Sequence, residues 1–326
     1  RLHEDNYAVV RWGTNGETTD KIKILKGVRQ GCALAPTLFL LYINQCVPYL
    51  MDCQSDAPFL AGSKVPALFF ADDTLLISKT QMGLQKLLDS FLSFCNISGL
   101  EMNYSKTKYM VINKKMKRGG KINVGDVSLE QVSEFDYLGV RLSSTSSWSA
   151  QIAKSAGIIT QRAGAICRFA KQARNYTITP ALEIYRAQAV SAAIYGGDLW
   201  GYADCTPITK AENKFLRELL AIRQNTPLVP LRLDLNIKPV HELCKLQPVL
   251  LWCRIWGTIE LNHYREGLEE VMQNPMAMKI GWLRHVKDTL VRIGCSNFWE
   301  TPRTITASTK ILVKRRYWEK RSESVV

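Results

Sequence analysis

The sequence predicts an α+β domain followed by an all-helical region. Three observations carry this. Short segments rich in β-branched and aromatic residues alternate irregularly with helix-period stretches up to about residue 145. That pattern favours an antiparallel sheet backed by helices. A Ser/Thr-rich stretch, Ser143–Ser149, then reads as a linker, and beyond it the chain is Ala-rich and helical. With 326 residues, 46% of them hydrophobic, the chain can bury a sizeable core in about two domains, and disorder is excluded as its main state.

The elements follow in order. Ala8–Gly13 and Thr18–Leu25 are strand-like and flank Asn15-Gly16, a hairpin turn signal. Gly27–Pro36 is a loop, and Pro36 suits the first turn of a helix. Leu38, Phe39, Tyr42, Ile43, Cys46 and Val47 then predict one buried amphipathic helix over Pro36–Leu50. Asp52–Pro66 is a loop, and Val65–Ser78 is a second hairpin around Asp72-Asp73. Leu84, Leu87, Leu88, Phe91, Leu92 and Cys95 mark a helix that Gly99 stops. Lys108–Asn113 returns as a strand, Lys114–Lys121 is a basic turn, and Ser133–Leu142 is a strand pair with Gly139 at its bend. Helices are expected over Ile152–Gln172, Ala181–Tyr195, Ile208–Ile222, Val240–Glu260 and Arg265–Met272. Arg303–Val326, with seven basic and two acidic residues, reads as a mobile tail or as the cut edge of a longer protein. Trp282, His285 and Trp299 can stack on bases, but core packing is the preferred reading.

Charge narrows the function. Lys and Arg number 43 against 29 Asp and Glu, a net charge of +14. Residues 1–150 hold 17 basic and 14 acidic side chains, and residues 151–326 hold 26 and 15, so the excess lies in the second half. A basic excess of this size favours a polyanion, most often nucleic acid, over simple solubility charge. No apolar run approaches the ~18–20 residues of a transmembrane helix, so no membrane partner is expected. The nine cysteines are scattered, without a CxxC pair, and point to free thiols in a reducing, intracellular compartment, nucleus or cytoplasm. A zinc knuckle from Cys244, Cys253, His263 and Cys295 has poor spacing. The chain shows no signal peptide and starts at Arg1 rather than Met, which reads as a processed chain or a fragment.

Four short segments carry chemistry. Asp72-Asp73 places two adjacent carboxylates inside Ala67–Ile77, otherwise apolar apart from Thr74, where a hairpin tip can aim both at a metal. Mg²⁺ suits such a pair because it takes carboxylate oxygens together with substrate phosphates, although Asp also favours turns for purely local reasons. Gly27–Pro36 is a Gly-bracketed polar turn into a Pro-started helix, able to bring backbone N–H groups close to phosphate or sugar; a plain tight loop is the alternative. Gly99–Lys108 offers Lys106 on a loop before a strand, as a charge or proton donor to phosphate or as a solvated lysine. Phe135–Val140 is an aromatic hairpin with Gly at its bend, able to hold a sugar–phosphate backbone or to pack as an ordinary turn.

In this order the four segments resemble the palm of reverse transcriptases, in particular the non-LTR (LINE-type) retrotransposon branch. Gly-Val-Arg-Gln-Gly-Cys-x-Leu-x-Pro-x-Leu-Phe over Gly27–Phe39 looks like motif B, and Phe70-Ala71-Asp72-Asp73 like motif C. Ser98–Met110, with its Gly-Leu-x-x-Asn-x-x-Lys-Thr core, looks like motif D, and Phe135–Val140 like motif E. Ile152–Trp200, ending Tyr195-Gly196-Gly197-Asp198-Leu199-Trp200, is similar to the thumb of that family, and Ala211–Trp256 to the segment after it. Series of motifs are far more specific than any one of them.

The resemblance implies a right-hand polymerase fragment. A partial palm would occupy residues 1–145, a helical thumb 146–205 and a basic helical C-terminal region 206–326. It implies an RNA-directed DNA polymerase that transfers nucleotides onto a primer 3′-OH with two metal ions, Mg²⁺ or in its place Mn²⁺. Asp72 and Asp73 would be the metal-binding catalytic carboxylates, with Asp72 the stronger direct ligand, and Lys106 a general acid near the pyrophosphate. Arg29, Gln30, Gly31, Phe70 and Ala71 would contact nucleotide, template and primer end. Tyr137, Leu138 and Gly139 would form the primer grip. The implied partners are an RNA template, a DNA primer or RNA–DNA duplex, and dNTPs.

One departure stands beside the resemblance. Only 26 residues precede Gly27, and Glu4, Asp5, Glu17 and Asp20 among them do not form the motif A strand that supplies a further metal-binding Asp. Motif A and the fingers are therefore expected to be missing, and this chain alone is expected to be inactive. The competing reading is a truncated or domesticated relic that binds nucleic acid or a protein without catalysis. A group II intron maturase fits less well, because Phe70, the Arg-Gln-Gly-Cys loop and Tyr137-Leu138-Gly139-Val140 look LINE-like.

Overall fold

The computed structural model describes residues 7–14, 16–24, 27–28, 31–112, 120–172 and 178–323. It divides into two units: Arg1–Thr107 with Gly120–Leu129, and Lys108–Gly119 with Glu130–Val326. The first is α+β and the second mostly helical, the coarse class expected.

In the first unit β1 (Tyr7–Ala8), β2 (Arg11–Trp12), β3 (Glu17–Thr18) and β4 (Ile22–Lys23) form an antiparallel ribbon, β1 on β4 and β2 on β3. Gly16 turns it at φ +72°; Asn15 lies outside the described residues. The single helix expected over Pro36–Leu50 is two: α1 (Ala35–Ile43) and α2 (Val47–Asp52), joined by a 3-10 turn at Asn44–Cys46. Pro48 is the reason, since it has no N–H for the Asn44 carbonyl and its ring crowds that oxygen. Nor is the helix buried throughout: α1 is almost wholly apolar, yet only Ala35 and Ile43 are fully buried.

The expected loop after α2 contains a small hairpin, β5 (Phe59–Leu60) with β6 (Ser63–Lys64), turned by Ala61 and Gly62, both at positive φ. The Lys64 ammonium caps α2 by donating to the carbonyls of Met51 (2.9 Å) and Cys53 (2.6 Å). Next comes the hairpin of β7 (Ala67–Phe70) and β8 (Asp73–Leu76). It packs on α3 (Gln81–Ser98), whose N-cap Thr80 accepts from the Gly83 N–H at 3.1 Å and whose C-cap Gly99 takes φ +65°. Leu87, Phe91, Phe94 and Cys95 of α3 meet Ile43, Cys46 and Leu50 in one core. Chain order then brings β9 (Lys108–Tyr109), which lies in the second unit, and the ribbon β10 (Asn123–Val124) and β11 (Val127–Ser128), which returns to the first. The side-chain amides of Gln81 and Gln85 bond the backbone of Gly120, Lys121 and Asn123, so α3 holds that ribbon. Most of the expected basic turn, residues 114–119, and Asn113 lie outside the described residues.

Among the described residues the strands form separate two-stranded ribbons rather than one continuous sheet. Runs of two to four residues are too short to build long ladders.

In the second unit β9 pairs in parallel with β12 (Glu130–Gln131). The hairpin β13 (Glu134–Tyr137) and β14 (Val140–Ser143) leads through the expected linker directly onto α4 (Ser149–Gln172), where the Gln151 side chain accepts from the Arg141 N–H at 2.7 Å. Ile152, Ile159, Ala163 and Ile166 of α4 share a core with α5 (Ile178–Ile184), a π-helical turn at Tyr185–Val190, α6 (Ser191–Ala193), α7 (Gly197–Trp200) and α8 (Thr206–Leu219). Tyr185 stacks on Phe215 at 4.2 Å. Then follow α9 (Leu228–Asp234), α10 (Val240–Gly257), α11 (Asn262–Gln273), α12 (Gly281–Arg292), α13 (Asn297–Glu300) and α14 (Thr309–Glu323). α10 joins two cores: Val240 and Cys244 belong to the first, and Val249, Trp252 and Trp256 to a second shared with α12 and α14.

The expected mobile tail is instead a packed helix. Val313 and Tyr317 of α14 are fully buried, and the Tyr317 hydroxyl donates to the buried Glu242 at 2.6 Å. The cationic residues that suggest a tail lie around a narrow apolar face one helical turn apart. Trp282, His285 and Trp299 are half-buried, the two tryptophans packing against the second core. Trp299 stacks on Trp252 at 4.9 Å, Trp282 donates to the Asp198 carbonyl at 2.7 Å, and burial pushes the pKa of His285 down beside the Lys245 carbonyl.

Candidate active site

The Asp72-Asp73 pair sits on a tight hairpin. Register pairs Ala67 with Leu76, Leu68 with Leu75, Phe69 with Thr74 and Phe70 with Asp73, leaving Ala71 and Asp72 as a two-residue loop. Ala67, Phe69 and Leu76 pack against the core of α2 and α3. Alternation therefore turns Leu68, Phe70, Asp73 and Leu75 to the opposite face. Phe70 stands directly across from Asp73 and is 62% exposed. Ala71 takes φ +50°, a left-handed conformation that costs a residue with a Cβ roughly 1–2 kcal/mol. Local strain of that kind gathers where a fold presents a functional group.

Both carboxylates are exposed, and among the described residues neither has a hydrogen-bond or ion-pair partner. Two adjacent like charges without a counter-charge favour a cation between them. Among the described residues no group of three or more His, Cys, Asp or Glu is placed to hold a metal ion. The pair nonetheless fits Mg²⁺, which commonly takes one or two protein carboxylates and completes its shell with water and substrate phosphates.

Gly31 and Gly27 take φ +80° and +90°, and a Cβ on Gly31 would meet nothing within 4 Å. Glycine is needed there for its backbone, not for room. The turn ends where the Ala35 N–H donates to the Cys32 carbonyl at 3.1 Å and α1 begins. Arg29 and Gln30 lie outside the described residues.

Lys106 is exposed on a turn organised by Asn103. The Asn103 side-chain oxygen accepts from the Ser105 hydroxyl at 2.8 Å and the Lys106 N–H at 3.1 Å. Its carbonyl accepts from the Thr107 N–H at 3.0 Å and the Thr107 hydroxyl at 2.8 Å. Asn103 and Thr107 therefore shape the loop that presents the lysine, the Asn103 side chain accepting from the backbone three residues on as a capping residue does. Lys106 makes no hydrogen bond or ion pair with Asp72 or Asp73.

Tyr137, Leu138 and Gly139 belong to the second unit. Tyr137 pairs with Val140, so Leu138 and Gly139 are the loop, at φ +48° and +81°. Two positive φ values in succession are those of a type I′ turn. Both loop carbonyls are held: Leu138 by the Tyr195 hydroxyl at 3.0 Å and Gly139 by the Lys154 ammonium at 2.9 Å. Lys154 also pairs with Asp136 at 3.1 Å, and Arg141 clasps that carboxylate with two bonds, of 3.0 and 2.9 Å. The Arg141 hydrogen bond and, against the pull of burial, Lys154 bring the pKa of Asp136 down to about 2. Sequence reading missed Lys154 and Tyr195, because no local pattern ties Tyr195 to a turn 57 residues earlier.

Residues 4–142 match the family model "Reverse transcriptase (RNA-dependent DNA polymerase)". The chain is 32% identical over 141 residues to a Pol polyprotein of the type-2 retrotransposable element R2DM of Drosophila melanogaster, covering 40% of this chain and 13% of that protein. It is 29% identical over 148 residues to a Pol polyprotein of a type-1 retrotransposable element R2 of Popillia japonica, covering 40% and 23%. A third, from Nasonia vitripennis, is 33% identical over 130 residues, covering 36% and 12%. The chain thus spans less than a quarter of the length of these relatives. Among the described residues no helix is long and apolar enough to cross a membrane. The matched segment holds all four motifs, from the Gly27 loop to the Leu138-Gly139 turn, and over it the chain is similar to the reverse transcriptases of non-LTR retrotransposons.

Proposed function

We propose that the chain is part of an RNA-directed DNA polymerase that transfers nucleotides onto a primer 3′-OH. Residues 1–145 form its partial palm, 146–205 its thumb and 206–326 a basic region that follows the nucleic-acid backbone. The observation that carries this is the Asp72-Asp73 pair: two carboxylates, unpartnered among the described residues, at a strained hairpin tip inside the segment that matches the family. Asp72, and with it Asp73, would hold divalent metal, Mg²⁺ or Mn²⁺. When bound, such ions lower the pKa of the primer hydroxyl and neutralise charge on the triphosphate.

The remaining assignments concern the chain's own residues. Phe70, across from Asp73, contacts the primer end. Arg29, Gln30, Gly31 and Ala71 meet the nucleotide and template, the glycine-bracketed segment suiting close approach of backbone to phosphate. Lys106, on its Asn103-built turn, faces the pyrophosphate and can give it a proton. Tyr137, Leu138 and Gly139 grip the primer. An RNA template, a DNA primer and dNTPs are the partners, in nucleus or cytoplasm. The non-catalytic alternative, raised by the expected lack of a motif A strand, is not better supported than the polymerase reading.

The test is RNA-templated primer extension by the protein that carries this chain. Asp72→Ala should lower incorporation by about 10²-fold or more while leaving salt-sensitive binding of RNA–DNA duplex in place. Full activity in that variant would overturn the site assignment.

A further inference from the structure

The turn assigned above to the primer is held from outside its own hairpin. Leu138 and Gly139 expose two carbonyls at the tip, and two side chains from separate helical segments take one each. Tyr195, in the turn before α7, donates its hydroxyl to Leu138, and Lys154 of α4 donates to Gly139. Ring and turn are in contact as well: a Cβ on Gly139 would lie 3.1 Å from Cε1 of Tyr195. One residue on, a Cβ on Gly196 would lie 2.6 Å from Cγ2 of Val140, so glycine at 196 lets the two turns touch.

The Tyr195 turn is itself anchored. The Trp200 indole, fully buried, donates back to the Tyr195 carbonyl at 3.1 Å, and Trp282 of α12 donates to the Asp198 carbonyl. The tip is thus fixed to the helical core by a chain of bonds that starts at Leu138. Leu138 needs such a fixture, because a leucine at φ +48° is in a strained conformation.

We propose that Tyr195 is a positioning residue for the Tyr137–Gly139 turn, with Lys154 as its second support, and that together they set where the primer end lies. This rests on the reading of that turn as the primer grip. Tyr195 acts through Leu138 and does not itself touch the reacting atoms. The assignment also gives a role to Tyr195-Gly196-Gly197: the tyrosine reaches the tip, and Gly196 makes room for Val140.

The test is photocrosslinking of the protein carrying this chain to an RNA–DNA primer–template with a photoreactive base at the primer 3′ end, the crosslinked peptide being mapped. Tyr195→Phe removes only the hydroxyl and keeps the ring, so the fold is retained. Wild type should crosslink within residues 135–140. In Tyr195→Phe that yield should fall about fivefold or more, with duplex Kd within twofold and the melting temperature within a few degrees. Lys154→Met should give a smaller fall, and Tyr195→Phe with Lys154→Met the largest. Wild-type crosslinking at the tip with an unchanged yield in Tyr195→Phe would overturn the positioning role and leave the primer grip standing. Duplex binding without any crosslink at the tip in wild type would overturn the primer grip, and the positioning role with it. A fall matched by an equal loss of duplex affinity or folding would mean a merely structural tyrosine.

Discussion

Glu242 offers the sharpest stability test in the second unit. Its carboxylate is 2% exposed at the first turn of α10, where the helix dipole already favours negative charge. Four groups converge on it: the Tyr317 hydroxyl at 2.6 Å, the Arg321 guanidinium, the His241 imidazole at 3.0 Å and the Lys245 ammonium at 3.6 Å. Burial by itself would raise its pKa; the bonds from His241 and Tyr317 and the charges of Lys245 and Arg321 outweigh it and bring the pKa down to about 2. Measured from an ordinary value near 4.5, that difference corresponds to about 3 kcal/mol. Removing one partner of a buried ion pair costs roughly 3–5 kcal/mol, and Arg321, 40% exposed, can still reach water, so the lower end applies. Glu242→Gln should therefore lower stability by about 3 kcal/mol, or about 6–12 °C in melting temperature for a unit of this size.

The sign of the pH dependence follows. A carboxyl whose folded pKa is depressed adds stability above its unfolded pKa and loses it as pH falls. The difference between wild type and Glu242→Gln should be full at pH 6–7, begin to shrink near pH 4.5 and be gone near pH 2. Thermal melts followed by circular dichroism between pH 3 and 7 read this directly. A variant within 2 °C of wild type at pH 7, or a gap that widens on acidification, would refute the reasoning.

Other positions give independent tests by the same melts. Thr80→Ala removes the N-cap of α3 and should cost about 1 kcal/mol, whereas Thr80→Ser should cost a fraction of that. Gly139→Ala places a Cβ at φ +81° and against the Tyr195 ring, and should cost about 2 kcal/mol. Gly201→Ala drives a Cβ into the carbonyl of Cys244, backbone against backbone, and should cost about 3 kcal/mol or more, visible as loss of soluble folded protein.

Much of the fold is local and was therefore legible. The β7–β8 hairpin announces itself as an apolar run broken by two aspartates, and α3 by its three-to-four period between Thr80 and Gly99. Where reading failed, a short-range signal was outweighed or masked. The apolar period over Pro36–Leu50 carries straight through Pro48, and the missing N–H at that one residue splits the helix. The basic run of α14 hides the few residues that matter, Val313 and Tyr317, whose partner Glu242 is 75 residues away. At the candidate site the motif residues stood out because they are contiguous. Their supports did not, since Tyr195 and Lys154 meet the turn only once the chain has folded.

The most direct test of the central claim asks whether Asp72 ligates metal during RNA-templated synthesis. Asp72→Cys replaces hard oxygen with soft sulfur, which disfavours Mg²⁺ more than Mn²⁺. Primer extension on RNA should be lost in Mg²⁺ and restored by tenfold or more in Mn²⁺, with wild type active in both. Equal loss of activity in the two ions would place Asp72 away from the metal, and undiminished extension in Mg²⁺ would contradict the account outright.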